Sequence, residues 1–323
     1  MKLIRLWRVE PKDIFEIASK YLRLKGRLKS MNNFDYTIVE EAAKQLYIRA
    51  LCDLPPDVRT ALQQAYEKET QPTAKEIFKA MLRTVDIADG KKTLICQDTG
   101  LPIYMVKIGS EFNWNGAEIK DRLTEGAKRA TQEFPFRGSS THFLTRINPQ
   151  TSVGDGLPVF YFDFKKDTDC LEILMVPKGS GSENMSKMKM FIPADGINAP
   201  KKFVLDTVIE SGANPCPPGI IGVGMGGTAD LVMRLAKEAI VRPVGQRNQD
   251  PEVAKMEVEL EEAINATGIG PQGLGGDITT LAVHIETAHT HITQNPVAVN
   301  TQCWPARRAR ARSFPDGSVE YGY

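Results

Sequence analysis

Apolar side chains recur every three or four residues along the first part of the chain, which is the spacing of one buried helix face. Two such sets lie at Phe15–Leu22 and Val39–Tyr47. Thr73 is a suitable N-cap for a further helix over Ala74–Leu82. We therefore predict that residues 1–90 are mostly helical.

After residue 90, short runs rich in β-branched and aromatic residues alternate with longer stretches of helical periodicity. The predicted strands are 93–95, 101–108, 159–164, 171–176, 219–224, 281–286 and 297–300. The predicted helices are 115–134, 199–211, 227–240 and 250–266, and a Gly/Ser loop is predicted at 178–182. This order indicates an α+β fold in which helices surround mixed β-sheets. We predict one domain, with the mixed core at 91–312 and a short C-terminal tail at 313–323.

Size and charge exclude several classes of protein. A chain of 323 residues can bury a large core, and its 41 basic residues nearly balance its 40 acidic ones. That balance predicts no nucleic-acid partner. No apolar run approaches the roughly 18–20 residues that cross a membrane. Arg5, Arg8, Glu10 and Lys12 interrupt any signal-peptide pattern at the N-terminus, so we expect a cytoplasmic protein.

The five cysteines are odd in number and widely scattered, so we expect no disulfide framework. In a reducing compartment each is a buried apolar side chain, a metal ligand or a nucleophile. Cys52 and Cys170 have ordinary neighbours, and we interpret them as buried thiols. Cys96, Cys216 and Cys303 each follow an apolar run and adjoin proline or a turn, a setting typical of active-site loops.

Backbone N–H groups in such loops can hydrogen-bond to thiolate or sulfide and stabilise its charge. The spacing of the three cysteines leaves two interpretations open, because the ligands of an iron–sulfur cluster usually come largely from one short run. Either the three bind a cluster together, or they are three unrelated core residues.

Five motifs together resemble one family. They are Cys-Gln-Asp-Thr-Gly at 96–100, Lys-Gly-Ser-Gly-Ser-Glu-Asn-Met at 178–185, Asn-Pro-Cys-Pro-Pro-Gly-Ile-Ile-Gly-Val-Gly at 214–224, Gly-Ile-Gly-Pro-Gln-Gly-Leu-Gly at 268–275, and Thr-His-Ile at 290–292 followed by Asn-Thr-Gln-Cys-Trp at 300–304. Between about residues 30 and 312, in this order, the chain is similar to the class I iron–sulfur fumarases and the related tartrate dehydratases. The similarity is to their α-subunit or N-terminal region.

The resemblance implies a [4Fe-4S] cluster held by only three thiolates, which fall on Cys96, Cys216 and Cys303. The iron without a protein ligand is then an open Lewis acid for the carboxylate and hydroxyl of a substrate. The resemblance also implies catalytic roles for Asp98 and His291. An anionic cluster favours the protonated form of Asp98, which suits proton shuttling, although an Asp in Asp-Thr-Gly also commonly makes a turn. His291 matches the family's active-site histidine and is expected to donate a proton or to bind a substrate oxygen.

The substrate-binding residues that the resemblance implies are Gln97, Arg137, Gly179 and Gly181. Arg137 matches a family arginine that faces substrate, and a forked cation suits a dicarboxylate. The two glycines let backbone N–H groups approach a carboxylate closely. Ser180 stands where the family usually has glycine, which is acceptable if its φ is negative.

Two other features of the sequence are typical of nucleotide-binding or nucleic-acid-binding proteins. Gly222–Gly227 has the spacing of a dinucleotide-binding loop, but the acidic residue expected at a strand end about 20 positions later is missing, so we expect no NAD. Arg307, Arg308, Arg310 and Arg312 form a basic tail without stacking aromatic residues. We expect this tail to contact a partner subunit or to balance the charge of the cluster.

The leading function that the resemblance implies is reversible hydration of fumarate to L-malate, a reaction of the tricarboxylic acid cycle. Tartrate dehydratase and mesaconate hydratase use the same apparatus, and residues 148–157 depart from the fumarase pattern, so the choice of dicarboxylate stays open. Single-chain relatives continue into a second domain with further catalytic residues. We therefore expect a separate β-subunit and an α homodimer within an α2β2 complex. A non-catalytic iron or oxygen sensor that holds the cluster is the alternative from a different class.

Overall fold

The computed structural model describes residues 34–323. The predicted helical set at Phe15–Leu22 lies outside the described residues. The helices of three or more turns are α1 (Thr37–Cys52), α2 (Pro56–Lys68), α3 (Pro72–Lys91), α4 (Gly116–Glu133), α6 (Asn198–Ser211), α7 (Ala229–Ala239) and α8 (Pro251–Asn265), and α5 (Ser180–Glu183) is a single turn. The strands are β1 (Leu101–Gly109), β2 (Val159–Lys165), β3 (Leu171–Lys178), β4 (Lys187–Phe191), β5 (Gly219–Met225), β6 (Thr280–Thr287), β7 (Asn295–Gln302), β8 (Ala309–Ser313) and β9 (Val319–Gly322).

The first sheet has five strands in the order β2-β1-β3-β8-β9. β1 is parallel to β2 and antiparallel to β3, so the sheet is mixed. Helices α1 and α4 pack on it, because the apolar sets predicted at helical spacing in these segments face the sheet and are buried. Asn115 caps α4 by accepting hydrogen bonds from the first-turn amides of Ala117 and Glu118.

The second sheet has four strands in the order β4-β7-β5-β6. β5 is parallel to β6 and antiparallel to β7. Helices α6 and α8 share one apolar cluster with this sheet, and α7 shares another. A Cβ atom placed on Gly222 or Gly224 would lie 2.3 Å or 2.1 Å from backbone oxygens of α7, so these glycines serve close packing of a helix on the sheet.

Helices α2 and α3 form a third apolar cluster together with Ile95, Ile220, Ala282 and Ala306. This pair of helices therefore supports the irregular segments that follow α3 and β7. Both segments carry a cysteine that the sequence analysis selected.

The predicted α+β fold with helices around mixed sheets is confirmed. Two local predictions are wrong. Residues 93–95 are irregular rather than a strand, because Lys92 takes a left-handed conformation at the end of α3 and Ile95 donates to the carbonyl of Leu51 in α1. Thr73 does not cap α3, which begins at Pro72 with Gln71 as N-cap.

The Gly/Ser loop predicted at 178–182 contains the helical turn α5. Strands β4, β8 and β9 were not predicted. Two residues of the basic tail, Arg310 and Arg312, lie in strand β8, where they are exposed and alternate with buried residues. Arg307 and Arg308 precede the strand and are buried. Residues 34–323 contain no helix with the length and apolar character needed to span a membrane.

Candidate active site

The fold brings the loops of Cys216 and Cys303 to the same end of the two inner strands of the second sheet, β5 and β7. β5 starts just after Cys216, and β7 ends just before Cys303. The two strands are antiparallel, with Ile220 opposite Gln302. The amide of Trp304 donates to the carbonyl of Cys216 over 3.1 Å, which joins the two loops directly.

Cys96 lies in the irregular segment between α3 and β1 and approaches the same end of these strands. Burial raises the pKa of the Cys216 thiol, and negative charge on Cys303, Cys96 and Asp98 raises it further. Burial also raises the pKa of Cys303. The cations Arg307 and Lys178 lower this pKa, and negative charge on Cys96 raises it. The three thiols therefore lie within electrostatic reach of one another.

All five cysteines are free thiols. Cys170 is buried and lies beside Thr168, at the end of β3 opposite to Lys178. Cys52 is buried at the end of α1, and burial raises the pKa of its thiol to about 11. These two cysteines have the surroundings of ordinary core thiols.

The donor set fits a cluster better than a single metal ion. Among the described residues, no three His, Cys, Asp or Glu side chains converge closely enough to bind one ion. A cubane cluster instead takes each thiolate on a different iron, so its ligands surround it rather than meet at a point. Two buried polar atoms beside Cys303 also lack a hydrogen-bond partner within residues 34–323, Nε of Arg307 and Oε1 of Gln302. Buried polar atoms without a partner are uncommon in proteins, and a ligand bound here would offer these two atoms a partner.

The Asp98 carboxylate accepts hydrogen bonds from its own loop and from the first residue of α5. Its Oδ1 accepts from the amide of Gly100 over 2.9 Å, and its Oδ2 accepts from the amide of Ser180 over 3.0 Å. The first contact is the turn that an Asp in this position commonly makes. The second fastens the Cys96 segment to the start of α5. Ser180 is helical, so its φ has the negative value that its replacement of glycine requires.

The turn α5 fits between two cysteine loops because its N-cap Gly179 and its second residue Gly181 lack a side chain. A Cβ atom on Gly179 would lie 2.9 Å from Oδ2 of Asp98. A Cβ atom on Gly181 would lie 2.8 Å from the carbonyl oxygen of Asn214, two residues before Cys216. Both glycines thus permit a close approach, although neither has a positive φ.

A buried ion network lies below α5. Lys178 is 2% exposed, and its Nζ donates to Oγ of Ser182 over 2.7 Å and lies 3.3 Å from Glu183. Burial lowers the pKa of Lys178 to about 8, although Glu183 and Cys303 act in the opposite direction. Glu183 also pairs with Lys237 and accepts from Nδ2 of Asn300 over 3.0 Å.

Arg307 is a site residue that the sequence analysis placed only in the basic tail. It is 1% exposed, and its guanidinium donates to the backbone carbonyl of Asp98. It lies close enough to Cys303 to oppose the rise in the pKa of that thiol. Its position four residues after Cys303 was the only signal in the sequence for this role.

A cavity of about 410 Å³ opens beside Asp98 and the ion network. Its lining includes Asp98, Arg137, Lys178 and Ser180. Arg137 is exposed, and its carbonyl accepts from Oγ1 of Thr99 over 2.6 Å. Glu183 also lines the cavity and pairs with Lys178, so two carboxylates and two cations meet at one concave surface. The exposed guanidinium of Arg137 suits a small anion there.

Two predicted site residues, Gln97 and His291, are not among the residues that line this cavity. Gln97 is exposed next to Cys96. His291 is exposed in the loop between β6 and β7, where its Nδ1 lies 2.9 Å from Oγ1 of Thr293. β7 runs from this loop to Cys303, and its seven residue steps span roughly 23 Å. The structure therefore does not bring His291 to the cysteines of the same chain.

The chain is similar to known proteins over most of its length. A model of the fumarate hydratase family (Fumerase) matches residues 40–312. A Methanocaldococcus jannaschii protein is 45% identical over 283 residues, which cover 87% of this chain and 99% of that protein. Its name is L(+)-tartrate dehydratase subunit alpha, qualified there as provisional.

The L(+)-tartrate dehydratase subunit alpha of Escherichia coli strain UTI89 is 34% identical over 267 residues, which cover 83% of this chain and 88% of that subunit. The subunit of the same name from strain K12 is also 34% identical over 267 residues. With the family match over most of the chain, these similarities show that the chain belongs to the fumarate hydratase family of hydro-lyases.

Proposed function

We propose that Cys96, Cys216 and Cys303 hold a [4Fe-4S] cluster and that the chain is the α-subunit of a hydro-lyase acting on a small dicarboxylate. The observation that supports this proposal best is that three free thiols lie within electrostatic reach of one another and of Asp98, which lines a cavity together with Arg137. The buried cations Lys178 and Arg307 would balance part of the negative charge of such a site.

When bound, the cluster would supply an open iron that acts as a Lewis acid and eases the departure of hydroxide. The chain's own residues have separate tasks. Arg137 would bind one substrate carboxylate through its forked guanidinium, and Gln97 would hydrogen-bond to substrate or water. The Asp98 carboxyl would move the proton, since its two backbone contacts hold it in a fixed orientation at the cavity wall.

The amides of Gly179 and Gly181 are the proposed contacts for the second carboxylate. Both residues lie at the turn α5, where no side chain intervenes between backbone and neighbours. Short approaches of this kind let backbone N–H groups bind an anion.

Fumarate is the first candidate substrate, because the Lys-Gly-Ser-Gly-Ser-Glu-Asn-Met motif at 178–185 is closer to fumarases than to tartrate enzymes. L(+)-tartrate is the second, because relatives at 45% and 34% identity carry that name. Mesaconate is a third dicarboxylate that the same apparatus could hydrate.

A separate β-subunit completes the proposed enzyme, with two α chains in an α2β2 complex. The names of the relatives support a separate partner subunit, since each is called a subunit alpha. His291 lies at the far end of β7 from Cys303, so it could act as proton donor only in the site of a second copy. We also propose a cytoplasmic location, where reducing conditions keep the five thiols free.

An anaerobic reconstitution tests the proposal. The α chain is loaded with iron and sulfide, iron per chain is counted, and fumarate, L(+)-tartrate and mesaconate are assayed with the β-subunit present. Replacing Cys96, Cys216 or Cys303 by Ser should abolish cluster retention. Replacing Cys52 or Cys170 by Ser is the matched control and should leave it intact.

The outcomes separate the possible functions. Dehydration or hydration of any of the three acids by the loaded pair supports the hydro-lyase proposal. A chain that retains four irons but converts none of the three acids when the β-subunit is present would be the cluster-holding sensor instead. Equal iron retention in all five serine variants would contradict the assignment of the ligands.

A further inference from the structure

Glu69 is a buried carboxylate outside the cavity, at the junction between α2 and α3. It is 1% exposed. Its oxygens accept from four backbone amides at 2.9–3.3 Å, those of Thr70, Gln71, Asp277 and Ile278. Two of these amides precede α3, and two end the glycine-rich segment 268–278. A buried charge with this many donors is costly to remove, because each amide would lose its partner.

The glycine-rich segment needs such an anchor. Six of its residues have positive φ values: Gly268 at 66°, Gly270 at 69°, Gln272 at 55°, Gly273 at 71°, Gly275 at 88° and Gly276 at 150°. Glycine loses more conformational freedom on folding than any other residue, so a segment of this composition is held in one shape only by its contacts. A Cβ atom on Gly276 would lie 2.9 Å from Oε2 of Glu69, so the carboxylate and the segment fit closely.

The other side of this segment supports the Cys216 loop. The amide of Gln272 donates to the carbonyl of Pro217 over 2.7 Å, and its Nε2 approaches the same oxygen at 3.3 Å. A Cβ atom on Gly273 would lie 2.5 Å from Cβ of Ala213. Cys216 itself has a φ of 54°, which is uncommon for a residue with a side chain. Contacts on both sides therefore fix its backbone, from Trp304 and from the glycine-rich segment.

We propose that Glu69 is a positioning residue for the Cys216 thiol. It acts through the segment 268–278. At one end of this segment the Glu69 carboxylate accepts hydrogen bonds from the Asp277 and Ile278 amides, and nearer the other end Gln272 donates to the carbonyl of Pro217. This inference rests on the proposed function in assigning Cys216 to the cluster. Partners behind metal ligands commonly change metal retention about 10–100-fold when they are removed.

The test compares Glu69→Gln with wild type and with Glu67→Gln. Glu67 is an exposed neighbour bonded only across one helix face to Gln63, so its variant is the matched control. The first readout is the alkylation rate of each cysteine in the cluster-loaded α chain, resolved by mass spectrometry. The second is the rate at which a chelator removes iron. Cys52 and Cys170 are buried and report any general opening of the fold.

We expect Glu69→Gln to lose iron about tenfold faster or more. Cys216 should be alkylated faster, while Cys96 and Cys303 change less and Cys52 and Cys170 stay as in wild type. A milder variant, Gln272→Ala, removes the side-chain contact to Pro217 and should produce the same selective change at Cys216. Equal rates in Glu69→Gln and wild type would overturn the proposal, as would a parallel increase at all five cysteines.

Hydrogen exchange of the chain without iron separates this inference from the proposed function. Glu69→Gln should exchange faster in peptides covering 213–218 and 268–278, and not in peptides from the first sheet. That result supports the mechanical link between Glu69 and Cys216 even if the wild-type chain binds no cluster. Unchanged exchange at 213–218 in a chain that does bind iron would contradict the link and leave the proposed function standing.

Discussion

Two buried cations distinguish this site from an ordinary group of core thiols. Lys178 is neutralised partly by Glu183, whereas Arg307 contacts a backbone carbonyl and its Nε has no hydrogen-bond partner within residues 34–323. A buried charge without a full set of partners is unfavourable in isolation. Thiolates, a cluster or a bound dianion beside these cations would supply the missing negative charge.

Asp98→Asn is expected to remove activity while keeping the fold. The amide oxygen of Asn can still accept from Gly100 or Ser180, so the turn survives, but an amide cannot carry the proton. We expect kcat to fall at least about 100-fold with little change in iron per chain. Steady-state kinetics and iron analysis of the loaded pair measure both. A variant with near wild-type kcat would show that Asp98 only makes the turn.

Lys178 should make substrate binding depend on pH. Its pKa is about 8, so the side chain is cationic below that pH and becomes neutral above it. A dicarboxylate is bound more tightly by the cation, so KM should rise as the pH increases through 8. Lys178→Met should raise KM at pH 7 and remove this rise, whereas Lys201→Met, at a partly exposed ion pair outside the cavity, should keep it. A pH-independent KM in the wild type would exclude Lys178 from substrate binding.

At the residue scale, the sequence was informative where the chemistry of a side chain is unusual. Cysteines beside prolines and an Asp in a turn are recognisable without a structure. The burial of Arg307 was not predicted, because it depends on strand β8 adding to the first sheet, and a run of four arginines is typical of an exposed surface. Lys178 was similarly hidden, since lysine is seldom fully buried.

At the scale of elements, the turn α5 determines how closely the loops of Cys96 and Cys216 approach each other. A Cβ atom on Gly181 would lie 2.8 Å from the carbonyl oxygen of Asn214. The neighbouring atom there is a backbone oxygen, so it cannot rotate away as a flexible side chain could.

Gly181→Ala is therefore expected to displace the Cys216 loop and to reduce iron retention, by about tenfold or more if the loop behaves as other supports of metal ligands do. Gly90→Ala is the matched control, because a Cβ atom there meets no atom within 4 Å and alanine favours its helix. Chelator-driven iron loss and thermal unfolding measure the two effects. Wild-type retention in Gly181→Ala would show that the loop can yield without cost to the site.

Sequence periodicity predicted the long elements well and the short ones poorly. Helices α4, α6, α7 and α8 and strands β1, β2, β3, β5, β6 and β7 were predicted near their observed positions. Strand β4 was missed because Met188 and Met190 are exposed on an edge strand and give no clear alternation of buried and exposed residues. The glycines at 222 and 224 resembled a nucleotide loop, although their place in the fold is to admit helix α7.

At the scale of the whole molecule, the proposed site lies where the two sheets and the α2–α3 pair meet. The Cys96 segment precedes the first sheet, and Cys216 and Cys303 lie at one end of the two inner strands of the second. Contacts between residues far apart in sequence create this convergence, for example from Ser180 to Asp98 and from Arg307 to Asp98. Spacing along the chain could not predict it, and only the resemblance to a family did.

The mouth of the cavity continues into an exposed apolar loop. Phe143, Leu144 and Ile147 are 83%, 79% and 69% exposed. The loop is held in shape because the His142 amide donates to the carbonyl of Ile147 and the Arg146 amide donates to the carbonyl of His142, each over 2.9 Å. Asn148 joins it to the cavity wall by donating to the carbonyl of Gly138 over 2.8 Å. Adjacent large apolar side chains on a well-held loop are typical of a protein-binding surface.

We expect the β-subunit to cover this loop when it closes the cavity over the substrate. The double variant Phe143→Ser, Leu144→Ser should weaken binding of the β-subunit about tenfold or more, because large apolar anchors dominate interface energies. Titration by calorimetry measures the affinity, and iron per α chain should stay unchanged. Phe164→Ser is the matched control, since Phe164 is 78% exposed on β2 and does not line the cavity. Equal affinities in the double variant and wild type would place the β-subunit elsewhere, because no partner that buries two such side chains could be indifferent to their loss.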